Sequence, residues 1–403
     1  MLNAKLIKGS FVLLVAFGLF NLLNFIYQFA MARLLSVAEY GILATLFAII
    51  YIFAIFSDSI QIVIAKYTVN SEDKGQIRSL ISKSLRKGRF LATIFFSIYL
   101  VLSIPLSVFF DISYMLLAMN GLIIYLIFCL PVSRGVLQGR KQFVALGTNL
   151  VVESMFKLIF GILFVIVGWK VYGAIGGFIL GALISFLLSF ISLKDIYKFS
   201  NGISKTKDIY EYARPTTFIT AIIVLFYSVD VILAKIMFSP ETAGAYAISS
   251  ILGKIVLWLS VPIGKAMFPL SAENQTSQKN NTIFTTSIII LLLIVVSVLC
   301  VFYFFSDFIV TFFAGKPVPE AAEILFYIGI SFSIIAFANM ILVYRLSLGP
   351  IKNYLYLFSC NFVQILLLLF LSENLKLFSF AFIVSSAILL ISSIVFVKIN
   401  RHV

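Results

Sequence analysis

Residues 143–168 read FVALGTNLVVESMFKLIFGILFVIVG. The run is continuously apolar and longer than the roughly 20 residues a helix needs to cross the hydrocarbon core of a bilayer. It nevertheless carries Glu153 and Lys157 in its interior. A charge at the bilayer centre costs about 2.5–3.5 kcal/mol on insertion scales, so ionisable residues at that depth line a pathway or find a partner. Lys235, Lys254 and Lys265 sit inside similar runs, and the acids at comparable depth are Asp58, Glu153 and Asp230. Cations outnumber anions slightly. The pattern is that of a multi-helix membrane protein whose polar interior suits an anionic cargo.

Composition places the whole chain in the same class. Hydrophobic residues are 62% of 403 and charged residues 11%, whereas a soluble domain is nearer half apolar and a quarter charged. The formal charge of +14 would point to nucleic acid in a soluble protein. Here most basic residues fall between apolar runs, where they set topology, so no nucleic-acid partner is expected. Cys129, Cys300 and Cys360 lie within apolar runs and His402 is the one histidine. That leaves no disulfide framework and no zinc spacing, and neither a metal nor a cofactor is expected. Lys5 and Lys8 precede an apolar run that extends to Met31. It is too long for the core of a signal peptide and lacks a small-residue cleavage site, so it reads as the first membrane helix.

Twelve runs of this kind are expected to span: 9–31, 40–65, 90–110, 114–133, 143–168, 173–193, 215–238, 244–269, 283–305, 324–344, 354–371 and 377–397. They are continuous rather than alternating, which excludes a membrane barrel. The fold class is all-α integral membrane. With both termini cytoplasmic, the inner segments collect 22 of the 30 Lys and Arg, with Arg134, Arg140 and Lys141 among them. The outer segments hold only Arg33, Lys170, Lys316 and Lys376, and the remaining four are the intramembrane lysines. This is a strong positive-inside asymmetry. The chain also repeats: Ser36, Gly41 and Ala44 recur 203 residues later as Ser239, Gly244 and Ala247, with Glu39 and Glu241 one position out of register. Six spans lie on either side of the charged segment 194–214. The expected organisation is an N-terminal six-helix lobe, 1–200, and a C-terminal six-helix lobe, 201–403, as parallel repeats around a central cavity.

Several segments resemble one family. Arg33-Leu-Leu-Ser-Val-Ala-Glu-Tyr-Gly-Ile-Leu-Ala44 resembles the outer turn between the first two helices of oligosaccharide flippases. Gly135-Val-Leu-Gln-Gly-Arg-Lys-Gln-Phe143 resembles their inner loop before the fifth helix, and Tyr172-Gly-Ala-Ile-Gly-Gly177 the start of the sixth. Asp230, followed by Ala243-Gly-Ala-Tyr-Ala247 and Pro269-Leu270, resembles the seventh and eighth. Together these cover the first two thirds of the chain. The resemblance is to the polysaccharide (Wzx-type) flippases of the MATE-like exporter superfamily, and its motifs are turn and helix-packing patterns. It implies export of a polyprenyl-diphosphate-linked oligosaccharide to the outer leaflet of the cytoplasmic (inner) membrane, with membrane lipids as surroundings. Proton or sodium coupling and a polysaccharide polymerase partner stay open at this point, because the residues name neither a driving ion nor a partner.

The polar residues within the spans form the candidate site. Asn149, Glu153 and Lys157 are spaced i, i+4, i+8 on one stripe, with Gln142 seven residues before Asn149. Glu153 four residues before Lys157 is the favourable order for an intrahelical pair. A pair lining a cavity opens when a phosphate competes for the lysine. Lys254, with Trp258 one turn away, is either packed by cation–π contact or part of a sugar- or phosphate-facing wall. Lys235 and Lys265 are expected to snorkel to the headgroups. Asn21, Asn24 and Gln28 share a face of the first span and serve either interhelical bonds or a cavity wall. Arg33 at the outer mouth is either a diphosphate receiver or an interfacial anchor. Asp230, Glu153 and Asp58 are the candidates for coupling to an ion. Segment 66–89, with seven basic residues, is set by topology or attracts anionic headgroups, and 306–323 is expected to be the longest outer connection.

Three other readings remain. A cation or drug antiporter of the same superfamily should favour acids over lysines at depth. A membrane enzyme needs catalytic carboxylates, metal ligands or a sizeable outer loop, so no enzymatic activity is expected. A passive scramblase differs only in lacking dependence on an ion gradient.

Overall fold

The computed structural model describes residues 2–69, 71, 73–200, 202, 214–272, 277–348 and 354–399. Lys205, Lys207, Lys352, Arg401 and His402 lie outside them, as do Asn201 and the whole of 203–213. The side chains of Lys5, Lys8, Arg214, Pro269, Lys279 and Lys398 are likewise outside the described set.

The described residues are helical almost throughout, and none is in a strand. The helices are α1 (Leu2–Leu34), α2 (Val37–Val69), α3 (Lys74–Phe109), α4 (Tyr114–Gly121), α5 (Ile123–Gly139), α6 (Phe143–Phe164) and α7 (Lys170–Ser192). A single turn, α8 (Lys194–Tyr197), precedes α9 (Arg214–Met237), α10 (Pro240–Ala272), α11 (Ser277–Ala314), α12 (Pro319–Ser347), α13 (Phe358–Phe370) and α14 (Leu375–Ile399). Among the described residues, ten stretches are long and apolar enough to cross a membrane. One of them, Phe143–Ser192, is two crossings. It passes through a wide turn at Val165–Trp169 and breaks at Gly168, whose φ of 100° is a conformation that glycine adopts without a Cβ penalty. The shorter apolar helix Leu355–Phe370 completes the twelve expected crossings.

Two boundaries differ from expectation. The stretch 306–314 continues α11 beyond a kink at Phe305, so the connection to α12, expected to be the longest outer one, is only the four residues 315–318. The fourth crossing runs on to Gly139, which takes Arg134 out of the inner loop and into α5. Apolar runs mark where lipid contact begins, and a helix extends past them wherever protein covers it.

The chain forms two compact units, one of Met1–Ser36 with Ile49–Thr217 and one of Val37–Ala48 with Phe218–Val403. Inside each unit the helices pack in the same scheme. The third crossing meets the fourth, the fourth the sixth and the fifth the sixth: α3 with α5, α5 with α7 and α6 with α7, then α11 with α12, α12 with α14 and α13 with α14. The second also meets the fourth. A Cβ on Gly135 or Gly139 of α5 would lie 2.7 Å from Gln61 O or 2.5 Å from Ala65 O of α2, and one on Gly253 of α10 would lie 2.7 Å from the Phe332 ring of α12. This shared scheme is the tertiary form of the 203-residue repeat.

Helix α2 contributes its first twelve residues to the second unit. There Tyr40 meets Phe313 edge-on at 6.3 Å, and the repeat-related glycines touch: a Cβ on Gly41 would lie 2.9 Å from Gly244 Cα. In the first unit, Ile77, Leu80, Ile81, Val136, Leu146 and Ile196 form an apolar cluster. Above it Asp195 of α8 accepts hydrogen bonds from Arg140 at 2.8 and 3.0 Å and pairs with Lys74 at 2.9 Å. The Arg140 hydrogen bonds, with Lys74 assisting, hold the Asp195 carboxyl well below the usual carboxylate range.

Candidate functional site

In the first unit the site grows from the contact between α6 and α7. Gly173, Gly177 and Gly181 lie at i, i+4, i+8 on α7, the small-residue stripe that lets membrane helices approach backbone to backbone. A Cβ on Gly177 would fall 2.2 Å from Gly161 N, and one on Gly181 would fall 2.6 Å from both Glu153 O and Lys157 N. This approach brings Phe178 of α7 over the Lys157 ammonium, 4.8 Å from ring centroid to Nζ. From α1, Tyr27 presents its ring at 4.4 Å, and Asn24 Oδ1 accepts a hydrogen bond from Nζ at 2.8 Å. Tyr27 is fixed in turn by donating to Ala174 O at 2.9 Å. Lys157 is buried; an amide and two rings are among its partners, and the Glu153 carboxylate on the same helix acts on it electrostatically. Aromatic faces attract a desolvated ammonium without cancelling its charge.

The expected Glu153–Lys157 pair is not formed. Glu153 is instead the ion-pair partner of Arg134 from α5. Arg134 Nε donates to Asn149 Oδ1 at 2.8 Å, and Nη2 donates to Glu153 and, at 3.2 Å, to Ser185 Oγ of α7. Asn149 Nδ2 donates to Ser185 O at 2.7 Å, and Ser185 Oγ donates back to Asn149 O at 3.0 Å. The guanidinium competes better than the ammonium because its planar fork donates to three acceptors at once. The sequence places Arg134 only among the inner-segment charges, and it does not single out Tyr27, Phe178 or Ser185. Extending the fourth apolar run to its glycine stop at Gly139 would have found the arginine.

The remaining first-unit candidates divide. Asn24 joins Lys157, Gln28 is buried on the same face of α1, and Asn21 is exposed. Arg33 is exposed with its guanidinium 4.3 Å from the Phe29 ring. Asp58 is exposed on α2, so it does not share the burial of the other acids.

In the second unit Asp230 of α9 is fully buried. Its Oδ2 accepts from Tyr246 at 3.2 Å and from Ser250 at 2.9 Å, both on α10. Its Oδ1 has no hydrogen-bond partner among the described residues. Lys254 lies within electrostatic reach of it and sits between Tyr227 at 5.8 Å and Phe332 at 5.7 Å. The rings on Lys254 thus come from α9 and α12, whereas Trp258, the sequence neighbour, is exposed. One turn before Asp230, Phe226 O accepts from Gln364 Nε2 of α13 at 2.8 Å. Gln364 Oε1, both amide atoms of Asn361 and Ser228 Oγ are buried without hydrogen-bond partners among the described residues. Lys235, expected to snorkel outward, is buried, while Lys265 is exposed. Among the described residues no group of His, Cys, Asp and Glu is arranged to hold a metal ion.

Comparison with known proteins agrees with this architecture. An inward-facing multidrug resistance MATE family transporter of the MOP superfamily superposes with a TM-score of 0.77 at 12% identity, covering 95% of this chain and 96% of that one. The lipid II flippase MurJ in an inward closed conformation gives 0.73 at 13% identity, covering 98% and 88%. A MOP superfamily transporter from Pyrococcus furiosus Vc1, described as having a binding pocket of reverse polarity, gives 0.61 at 14%, covering 98% and 94%. At these identities the likeness is one of fold. No curated protein matches the sequence. The family profile described as polysaccharide biosynthesis protein matches residues 6–275, which include every element of the Lys157 and Arg134 cluster and both partners of Asp230. The chain is a member of the polysaccharide biosynthesis protein family, built on the MATE-like transporter fold.

Proposed function

We propose that this protein flips a polyprenyl-diphosphate-linked oligosaccharide from the cytoplasmic to the outer leaflet of the inner membrane by alternating access, with both termini cytoplasmic. The observation that carries the reading is the buried Lys157 ammonium, held by Asn24, Tyr27 and Phe178. A buried cation is costly unless its site is built for an anion or a partner, and a diphosphate oxygen replaces the Asn24 contact with a stronger, charge-assisted bond. Family membership and the likeness to a lipid II flippase support a lipid-linked glycan as cargo and transport rather than catalysis. In this reading the halves 1–200 and 201–403 move about a central cavity, residues 37–48 moving with the second half. Lys254 and Asn149 stand behind the cargo wall, and Asp230, with one oxygen unsatisfied, couples transport to a proton or sodium gradient.

The test is reconstitution in liposomes carrying a fluorescent polyprenyl-diphosphate oligosaccharide in one leaflet, with a membrane-impermeant quencher outside. Wild type should translocate the lipid and Lys157→Gln should lose most of that activity while remaining folded. Full activity in Lys157→Gln would remove the cationic site from the mechanism. Transport of ethidium-like cations in place of the lipid would move the protein to the drug antiporters, with Asp230 as the site to pursue.

A further inference from the structure

Helix α3 carries Lys74, Arg78, Lys83, Arg86, Lys87 and Arg89, and no Asp or Glu along its 36 residues. Its first turns are anchored. Ile77, Leu80 and Ile81 enter the apolar cluster, Lys74 pairs with Asp195 at 2.9 Å, and Arg78 donates to Tyr197 O at 2.8 Å. Farther along, a Cβ on Gly88 would lie 3.0 Å from Phe128 O of α5. Lys83, Arg86 and Lys87 are exposed and fall at i, i+3 and i+4, on one face of the helix. The same face continues as Phe90, Ile94, Ile98 and Val101, which are 65%, 40%, 50% and 66% exposed. Phe90 to Val101 rises about 16 Å, half of a hydrocarbon core about 30 Å thick. The three basic residues stand about 5–10 Å beyond Phe90 along the axis. Bulky apolar side chains exposed in a row mark a surface that meets lipid or a partner rather than water. Topology accounts for the number of basic residues in this part of the chain. It does not account for their place on an anchored helix, in line with an apolar stripe of one leaflet's depth.

We propose that this face of α3 is a binding site for an anionic phospholipid of the bilayer, with its phosphate on Lys83, Arg86 and Lys87 and its acyl chains along Phe90–Val101. A phosphodiester accepts charge-assisted hydrogen bonds from all three donors. Lys83 and Lys87 are like charges one turn apart, which repel, and an anion between them relieves that repulsion. The backbone is held by its other face, so the site loses little freedom when the lipid seats. A bilayer phospholipid fits better than the cargo because the stripe is open along its length and matches a single leaflet. The proposal is independent of the transport reading of Lys157, which is buried on α6.

The experiment titrates full-length protein in detergent with phosphatidylglycerol or phosphatidylcholine of the same acyl chains, and native mass spectrometry counts the bound lipid. Phosphatidylglycerol should bind at least about tenfold more tightly than phosphatidylcholine, since each basic residue near a headgroup contributes about fivefold. Lys83→Gln/Arg86→Gln/Lys87→Gln should lose that preference, and the charge-keeping Lys83→Arg/Arg86→Lys/Lys87→Arg should retain it. Lys170→Gln/Lys265→Gln/Lys376→Gln removes three charges elsewhere and should leave it intact. Phosphatidylglycerol with a photoreactive acyl chain should label residues 90–101 of the wild type. Equal affinity for the two lipids, a wild-type preference in the triple Gln variant, or labelling confined to other helices overturns the proposal. Geranylgeranyl diphosphate that displaces equimolar phosphatidylglycerol from the labelled residues would give the site to the cargo, and overturns it too. The three side chains are exposed, so without added lipid the triple Gln variant should unfold at the wild-type temperature. Should it not fold, the lipid preference and labelling map of the wild type decide.

Discussion

Gly177→Ala should be among the most damaging single-methyl changes in the first unit. The added Cβ would stand 2.2 Å from Gly161 N, 2.5 Å from Gly161 Cα and 2.9 Å from Phe160 C. All three are backbone atoms, so no side chain can swing aside. Ordinary contact lies near 3.5 Å, which requires α6 and α7 to separate by roughly 1 Å over the turn that presents Lys157. Overpacking of a close-packed interface costs about 1–3 kcal/mol or more, and the small-residue contact that holds membrane helices together is lost with it. The control is Gly18→Ala on α1, where a Cβ meets nothing within 4 Å and the helix gains up to about 1 kcal/mol in intrinsic propensity. The two variants add the same atom to a glycine in a helix, so composition and hydrophobicity cancel. Unfolding in detergent should place Gly177→Ala below wild type and Gly18→Ala at or above it. Binding of the fluorescent polyprenyl-diphosphate lipid should fall only in Gly177→Ala, because Phe178 retreats from Lys157 with the helix. Equal stability of the two variants would show that the α6–α7 contact is not limiting and refute the packing argument.

Asp195→Asn should loosen the inner clamp on Lys74 and Arg140, by about 1 kcal/mol or less for so exposed a network. The clamp holds the folded-state pKa down, so its contribution is complete above the unfolded carboxylate value near 4 and is lost only as pH falls below it. The stability gap to wild type should therefore be constant from pH 5 to 8, and a gap that grows across that interval would contradict the assignment. In Gly244→Ala the Cβ would lie 2.0 Å from Val37 O. The first turns of α2 should then detach from α10, seen as faster hydrogen exchange in residues 37–48, and unchanged exchange there would show that the contact is dispensable. Asp230→Asn removes the buried charge with little change in shape. It should fold, retain binding of the polyprenyl-diphosphate lipid and lose stimulation of transport by an ion gradient, and gradient-driven transport at the wild-type rate would exclude Asp230 as the coupling group.

The sequence by itself determined the class, the crossings and the repeat, because each depends on properties that are local or periodic along the chain. Lipid imposes a minimum apolar length on every span, so twelve runs could be counted without knowing their neighbours. The duplicated turn, Gly41 and Gly244, was visible as spacing, and tertiary structure shows those glycines in contact. Which polar residues meet was not legible. Nearest-turn reasoning paired Glu153 with Lys157, yet the carboxylate goes to Arg134, 19 residues away on another helix. It assigned Trp258 to Lys254, yet the rings come from Tyr227 and Phe332. It left Lys235 reaching for headgroups, yet packing buries it. The reason is the same in each case. Inside a bilayer a polar group takes the best partner that any adjacent helix can bring, and the close approach of α6 to α7, set by glycines with no side chain to advertise it, decides which helices are adjacent. Hydrophobic length is written along the chain, whereas charge pairing is settled only where helices cross.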